Sequence, residues 1–281
     1  MAVDLHTHSR ASDGSDAPGR LVELALSQGL TAMAITDHDT LEGFAEAEVA
    51  ARGTGMELIP GTELSLEDEG GMHLVVLWLQ PVPGPLQDSL QSLRTGRDRR
   101  NTLILEALAA HGVEVTPEEV AIESGGGSVG RPHIAAVMMR KGYVTDIASA
   151  FELWLGRDRP GYVARPRLDP GEAIRLARES GAVPILAHPH TLGINRAEDM
   201  ARLLHDLIDH GLVGLEAIYP SYHRHERDGY SDLARRFGLV PSGGSDYHGS
   251  YKPGIELGIG YGDLHVPDSV IDSLREFAVA P

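Results

Sequence analysis

The 281-residue sequence contains no cysteine. That excludes disulfide bridges and thiolate metal sites and leaves nitrogen and oxygen atoms as metal donors. No apolar run approaches the ~18–20 residues of a membrane span, and the N-terminus has no basic stretch followed by an apolar one, so no secretory signal is expected. The cytoplasm is the expected compartment, with no membrane and no obligate protein partner. Positive charge is scarce: 24 Lys and Arg against 41 Asp and Glu give a formal net charge of −17. Such a surface repels long nucleic acids unless a local basic patch overrides the average. No internal repeat or low-complexity tract is found. Hydrophobic residues make up 42% of the chain, enough for a real core, and the 14 histidines are many. Histidine in surplus beside Asp and Glu points to a metal site built without sulfur.

The chain is organised around Asp4-Leu5-His6-Thr7-His8-Ser9, with Asp13 just beyond. A strand at 3–5 ends at the two histidines, whose spacing of two puts both imidazoles on one face, where they can grip one divalent cation. The next segments alternate. A helix from Pro18 stops near Gly29; a strand at 31–36 ends in Asp37-His38-Asp39; a helix covers 41–51; a third strand within 56–66 carries Glu63; a fourth, 73–79, starts at His73. After 160 the alternation resumes, with a strand at 182–187 ending at His188, one at 213–218 ending near Glu216 and Tyr219, and a last one at 239–242 followed by Asp246 and His248. Strand–helix alternation with polar residues where strands finish predicts a parallel α/β barrel of about seven strands with the chemistry on one rim. His190, two residues beyond His188, is a candidate partner to a ligand, and Trp78 and Trp154 read as core.

Pro81-Val82-Pro83-Gly84-Pro85 breaks this pattern. From there to about 159 the periodicity is helical, which predicts a small helical insertion (81–159) covering the active site of a barrel made from 1–80 and 160–281. Thr116-Pro117-Glu118-Glu119 has the form of a capped helix start, and 124–128 reads as a glycine-rich turn. Arg97 and Arg100 share a helix face, which suits either a bound anion or plain solvent. Arg131 and His133 open a helix, where free N–H groups and the dipole favour anions.

The motifs DLHTHS with Asp13, TDHDT, GTE, a histidine in the fourth strand, AHP and GGSDYHG, in that order, resemble the PHP (polymerase and histidinol phosphatase) superfamily over residues 4–249. Arg97, Arg100 and Asn101 followed by Gly130-Arg131-Pro132-His133-Ile134-Ala135 look like its stand-alone phosphoesterases. That branch includes 3′,5′-nucleoside bisphosphate phosphatases and 5′-to-3′ oligoribonucleases. The resemblance implies a distorted (β/α)7 barrel with a divalent metal centre of two or three ions (Mn, Fe or Zn). By the same resemblance His6, His8, Glu63 and Asp246 hold a first ion, Glu63 with His73 and His188 a second, and Asp13, His38 and His248 a third.

The expected reaction is hydrolysis of a nucleotide phosphomonoester by a metal-activated water. His223 and Asp37 are candidate proton donors to the leaving oxygen; the alternatives are a surface histidine at a helix start and a carboxylate that orients a ligand. Arg97, Arg100, Arg131 and His133 would anchor a second phosphate. Competing readings are exonuclease action on short 5′-phosphorylated RNA, a histidinol-phosphate phosphatase, an amidohydrolase with a similar barrel, and a non-catalytic domain that has kept the fold.

Overall fold

A computed structural model describes residues 2–67, 71–125, 129–164 and 167–279, leaving aside the side chains of 94, 97 and 98. The first half of the barrel is β1 (Ala2–Asp4), α1 (Pro18–Ser27), β2 (Ala32–Ile35), α2 (Glu42–Ala51), β3 (Glu57–Ser65) and β4 (His73–Leu77). A helical stretch follows: α3 (Pro85–Ala109), α4 (Pro117–Glu123), α5 (Arg131–Arg140) and α6 (Ile147–Ala150), the last continuing into a wider π-helical turn, Phe151–Leu155. The second half is α7 (Pro170–Glu179), β5 (Val183–Leu186), α8 (Ala197–Asp209), β6 (Gly214–Ile218), α9 (Arg224–Arg236), β7 (Val240–Gly243), β8 (Val266–Pro267) and α10 (Ser269–Arg275). Much of the turn expected at 124–128 lies outside the described residues. Among those described, no helix is long and apolar enough to cross a membrane.

The strands form one sheet in the order β7-β6-β5-β4-β3-β2-β1-β8. The expectation of a parallel sheet is corrected at two strands, β4 and β8. β1, β2 and β3 run parallel, as do β5, β6 and β7, but β4 is antiparallel to both its neighbours. The reversal follows from a tight return: Ser65 pairs with His73, too short a connection for the helical crossover that a parallel pair requires. It has a chemical result, because His73, the first residue of β4, lies on the rim where the parallel strands end. The two-residue β8, antiparallel to β1, and α10 behind it carry too little pattern to be read from sequence.

Closure occurs beyond the strands proper. Thr7 bridges Tyr247 in parallel, the His8 N–H donates to the Tyr247 carbonyl at 2.9 Å, and the Asp246 N–H donates to the His6 carbonyl at 2.8 Å. These bonds zip the chain after β1 to the chain after β7. Alternate residues of the strands, among them Val3, Leu5, Ala32, Ala34, Val75, Leu77, Val183 and Ile185, pack with Val270, Ile271 and Leu274 of α10 as the barrel interior. The opposite parity (Leu74, Val76, Leu186) joins Leu86 and Leu90 of α3 and the inner faces of α7 and α8. Farther along α3, Ile104, Leu105 and Leu108 join Val120, Ile134, Val137, Met138 and Leu155 in a separate core. Twenty-five residues of helix at 1.5 Å each span about 38 Å, so α3 reaches both cores. Leu274 is fully buried; Leu274→Ala should lower the unfolding free energy by about 2–5 kcal/mol, measurable by urea denaturation.

Candidate metal centre

The zipped segments and the strand ends converge on one cluster of imidazoles and carboxylates. Thr7, between the two leading histidines, is pinned by a bond from its hydroxyl to the Ala34 carbonyl (2.6 Å) and one from its N–H to Thr36 Oγ1 (3.0 Å). His6 Nε2 and His8 Nε2 lie 3.1 Å apart. Glu63 Oε2 is 3.4 and 3.2 Å from these two nitrogens, and Asp246 Oδ1 is 3.6 and 3.3 Å from them. Four donors around one ion at about 2.0–2.1 Å in a tetrahedron would be about 3.3–3.4 Å apart, so this spacing is that of a ligand set. The other Glu63 oxygen, Oε1, is 2.8 Å from His73 Nδ1 and 2.9 Å from His188 Nε2. Asp13 faces His8 Nδ1 at 3.6 Å, His38 Nε2 at 3.6 Å and His248 Nε2 at 3.4 Å. The structure thus brings together all nine residues that the motifs single out.

Backbone conformation is forced at this rim. His188 (φ 25°) and Asp246 (φ 50°) are non-glycine residues in the left-handed region, as is Asp39 (φ 53°), next to His38. Such residues cluster where a site overrides local preference. Gly244 admits no side chain: a Cβ there would lie 2.5 Å from the His6 backbone nitrogen.

Charge decides what the cluster can hold. Asp13, Glu63 and Asp246 all keep pKa values well below the carboxylate range: burial works against their charge, and the surrounding imidazoles, with Lys252 for Asp246, outweigh it. Three negative charges at a buried rim call for cations. Without ions, protons serve. Burial opposes charge on His8, yet Asp246 and Glu63 push its pKa up to about 9; His38, buried and crowded by His8 and His73, drops to about 3. His8 Nδ1 and His38 Nδ1 are buried without a hydrogen-bond partner among the described residues. Unpaired imidazole nitrogens, clustered carboxylates and the absence of sulfur fit divalent transition metals.

A second layer orients the donors. Glu216 Oε1 is 2.9 Å from His6 Nδ1, and Oε2 accepts the His188 N–H at 2.7 Å. Asp246 Oδ2 accepts from the Tyr219 hydroxyl (2.6 Å) and from Lys252 Nζ (2.5 Å), leaving Oδ1 for the cluster. His248 Nδ1 donates to the Asp246 carbonyl at 2.8 Å, directing Nε2 at Asp13. Asp4 accepts from Ser245 N–H, Ser245 Oγ and Gly258 N–H at 2.6–2.8 Å, fastening the first motif to the last.

The two proton-donor candidates do not reach the cluster. Asp37 is fully buried and accepts from Ser9 N–H, Ser9 Oγ and Ser12 Oγ at 2.6–2.8 Å, shaping the loop that presents Asp13. His223 starts α9 with its ring exposed and stacked on His225 at 5.8 Å. A cleft of about 370 Å³ opens beside Asp13, His38, His73 and His248, and Arg100, Arg131, Arg167 and Lys252 line it. Arg131 lies 5.3 Å over the Phe151 ring and donates to the Leu155 carbonyl at 3.1 Å. Burial and the neighbouring Arg167 lower its pKa. Arg100 Nε donates to the Val163 carbonyl at 2.7 Å. His133 is fully buried behind the cleft wall, its ring edge-to-face with Tyr251 at 5.5 Å and its Nδ1 accepting the Gly130 N–H at 3.0 Å, so it shapes the turn that carries Arg131. The Arg97 side chain lies outside the described residues. Sequence reasoning gave no role to Glu216, Lys252 or Arg167. A carboxylate on an otherwise apolar strand (Gly-Leu-Glu-Ala-Ile) was the only available signal, and it pointed to Glu216.

The PHP domain family matches residues 4–115. Over 98% of both chains the protein is 34% identical to a 5′-3′ exoribonuclease of Haemophilus influenzae. It is 30% identical to a 3′,5′-nucleoside bisphosphate phosphatase of Chromobacterium violaceum, over 91% of this chain and 90% of that one. A solved structure from Bifidobacterium adolescentis, described as a candidate metal-dependent phosphoesterase, superposes with a TM-score of 0.86 at 29% identity over 99% of this chain and 96% of that one. Fold, donor set and relatives together define a metal-dependent phosphoesterase. The chain belongs to the PHP family.

Two outcomes are expected. Adding Mn²⁺ to metal-free protein at pH 7.5 in weak buffer should release protons, because His8 is protonated below about pH 9; the yield should shrink above that pH. Glu216→Ala should weaken metal binding about 10–100-fold, read by competition with a chelating dye.

Proposed function

We propose that the protein hydrolyses the 3′-phosphate of 3′,5′-nucleoside bisphosphates. The observation that carries this reading is the arginine-lined cleft adjoining the donor cluster. Arg131 and Arg167 repel one another, a repulsion that a bound dianion relieves, and arginine forks match phosphate oxygens. Arg100, Arg131 and Arg167 then hold the 5′-phosphate while the 3′-phosphate sits at the donors. In this reading residues 81–159 are an insertion that covers the barrel site and supplies Arg100 and Arg131, with Arg97 on the same helix; His133 acts by holding the turn.

The ligands are assigned as His6, His8, Glu63 and Asp246 for one ion, Glu63, His73 and His188 for a second, and Asp13, His38 and His248 for a third, with Mn, Fe or Zn suiting the donors. Divalent ions there supply an activated water and charge for the phosphoryl oxygens. Glu216 and Tyr219 keep the donors aimed. Lys252, fixed by Asp246, adds a positive charge where the phosphoryl group is handled.

A second reading, 5′-to-3′ removal of nucleotides from short 5′-phosphorylated RNA, uses the same geometry, because each internucleotide phosphorus is also borne on a 3′ oxygen. It is supported by the 34% identity to an exoribonuclease. Histidinol phosphate carries one phosphate and a cationic amine, and a cleft lined by three arginines disfavours it.

Phosphate release should be measured with Mn²⁺ from adenosine 3′,5′-bisphosphate, AMP and histidinol phosphate. The bisphosphate should be strongly preferred. Arg131→Ala should raise its KM roughly 10–100-fold while changing a simple monophosphate ester much less; equal effects would remove the second-phosphate site.

A further inference from the structure

With Asp37 bonded to Ser9 and Ser12 and His223 out at the surface, the leaving side of the reaction has no residue assigned to it. A nucleoside hydroxyl is a poor leaving group, and the charge that builds on its oxygen calls for a donor already in place. When the scissile phosphorus sits at the donors and the arginines hold the 5′-phosphate, the sugar spans the two spaces. The 3′ oxygen that leaves then lies where the donor pocket meets the arginine cleft.

Four residues line both spaces: His38, His73, His248 and Lys252. The three histidines are assigned as ligands. Arg100, Arg131 and Arg167 line the arginine cleft but not the donor pocket. Outside the ligand set the donor pocket also has Thr191 and Tyr219, and neither lines the arginine cleft. Both hydroxyls are already used: Thr191 donates to the His188 carbonyl at 3.0 Å and Tyr219 to Asp246 at 2.6 Å. Lys252 alone is left at the junction.

Its position is built from three sides. Gly249 (φ 64°) opens the turn before it and admits no side chain, because a Cβ would strike Ser15. The Ser250 N–H donates to Ser15 Oγ at 2.9 Å, on the loop that carries Asp13, and the Tyr251 hydroxyl donates to Glu123 at 3.3 Å, on α4. Lys252 Nζ then reaches Asp246 Oδ2 at 2.5 Å, its one hydrogen-bond acceptor among the described residues. An ammonium has three N–H donors, so two remain for a substrate.

We propose that Lys252 is a catalytic residue whose ammonium donates a hydrogen bond to the 3′ oxygen as the bond from that oxygen to phosphorus breaks. This rests on the reading in which the arginines hold the 5′-phosphate. Water forms the new P–O bond, the electron pair of the broken bond goes to the 3′ oxygen, and the proton lost by the water ends there; Lys252 keeps its charge throughout. The contribution is large for a basic leaving oxygen and small for one that carries its own charge well.

The test compares the parent with Lys252→Met and Lys252→Arg, with Mn²⁺, on adenosine 3′,5′-bisphosphate and on aryl phosphates running from p-nitrophenyl to phenyl phosphate. In Lys252→Met, kcat/KM for the bisphosphate should fall about 10²–10³-fold, the order for one lost donor at a developing oxyanion. The loss should be far smaller for p-nitrophenyl phosphate and grow across the aryl series, so the rate depends more steeply on leaving-group basicity. Lys252→Arg keeps charge and donors and should restore most of the parent's shallower dependence. Bound Mn²⁺ per chain, read with a chelating dye, should be equal in all three. A loss that is equal across the series, or that follows missing Mn²⁺, overturns the assignment and leaves the bisphosphatase reading intact. A parent that binds metal and cleaves the aryl esters but not the bisphosphate overturns that reading and the assignment with it.

Discussion

Three carboxylates at the mouth of a closed barrel, Glu63 and Asp246 buried and Asp13 nearly so, set the terms for the rest of the structure. Asp13, Glu63 and Asp246 come from a loop, a strand and the segment after β7, and none of them can be ionised in a dry rim without nearby positive charge. Six imidazoles and Lys252 face them. His8 carries a proton where no cation is bound, whereas burial keeps His38 neutral, so the rim balances its charge residue by residue. The second layer then has a clear purpose. Glu216 and Tyr219 bond the outer sides of His6 and Asp246, while Thr7 and Asp4 fix the backbone that carries the first and last motifs.

The barrel mouth and the helical stretch do different work. All nine donor residues lie between His6 and His73 or between His188 and His248, whereas two of the cleft arginines, Arg100 and Arg131, come from the helices. The long α3 has apolar residues in both cores. It therefore couples the position of Arg100 to the packing of the barrel's outer layer.

Much of this was legible in the residues themselves. Strand ends carrying His and Asp are local signals, so His6, His8, His38, His188, Asp246 and His248 could be placed on one rim from alternation alone. Proline and glycine punctuation marked the start of the helical stretch, and Thr116 with Glu119 gave a capping box that the structure contains. The reversed β4 was not legible, because strand direction depends on connection geometry and not on composition. β8 and α10 were too short to generate a pattern. Lys252 and Arg167 sit on irregular segments where only tertiary packing assigns a neighbour. For Asp37 and His223 the sequence left two readings open, because proximity to a motif does not say which way a side chain points; Asp37 bonds Ser9 and Ser12, and His223 is exposed.

The zipping of the first motif to the last has a consequence for biosynthesis. Ser245 and the Asp4 carboxylate that it caps are 241 residues apart in sequence. At about 5–20 residues per second, translation separates them by roughly 10–50 s. For most of that interval a nascent chain presents His6, His8 and Glu63 with neither Asp246 nor His248 to complete the rim. The rim that gathers these side chains is thus complete only after the ribosome has delivered the last motif.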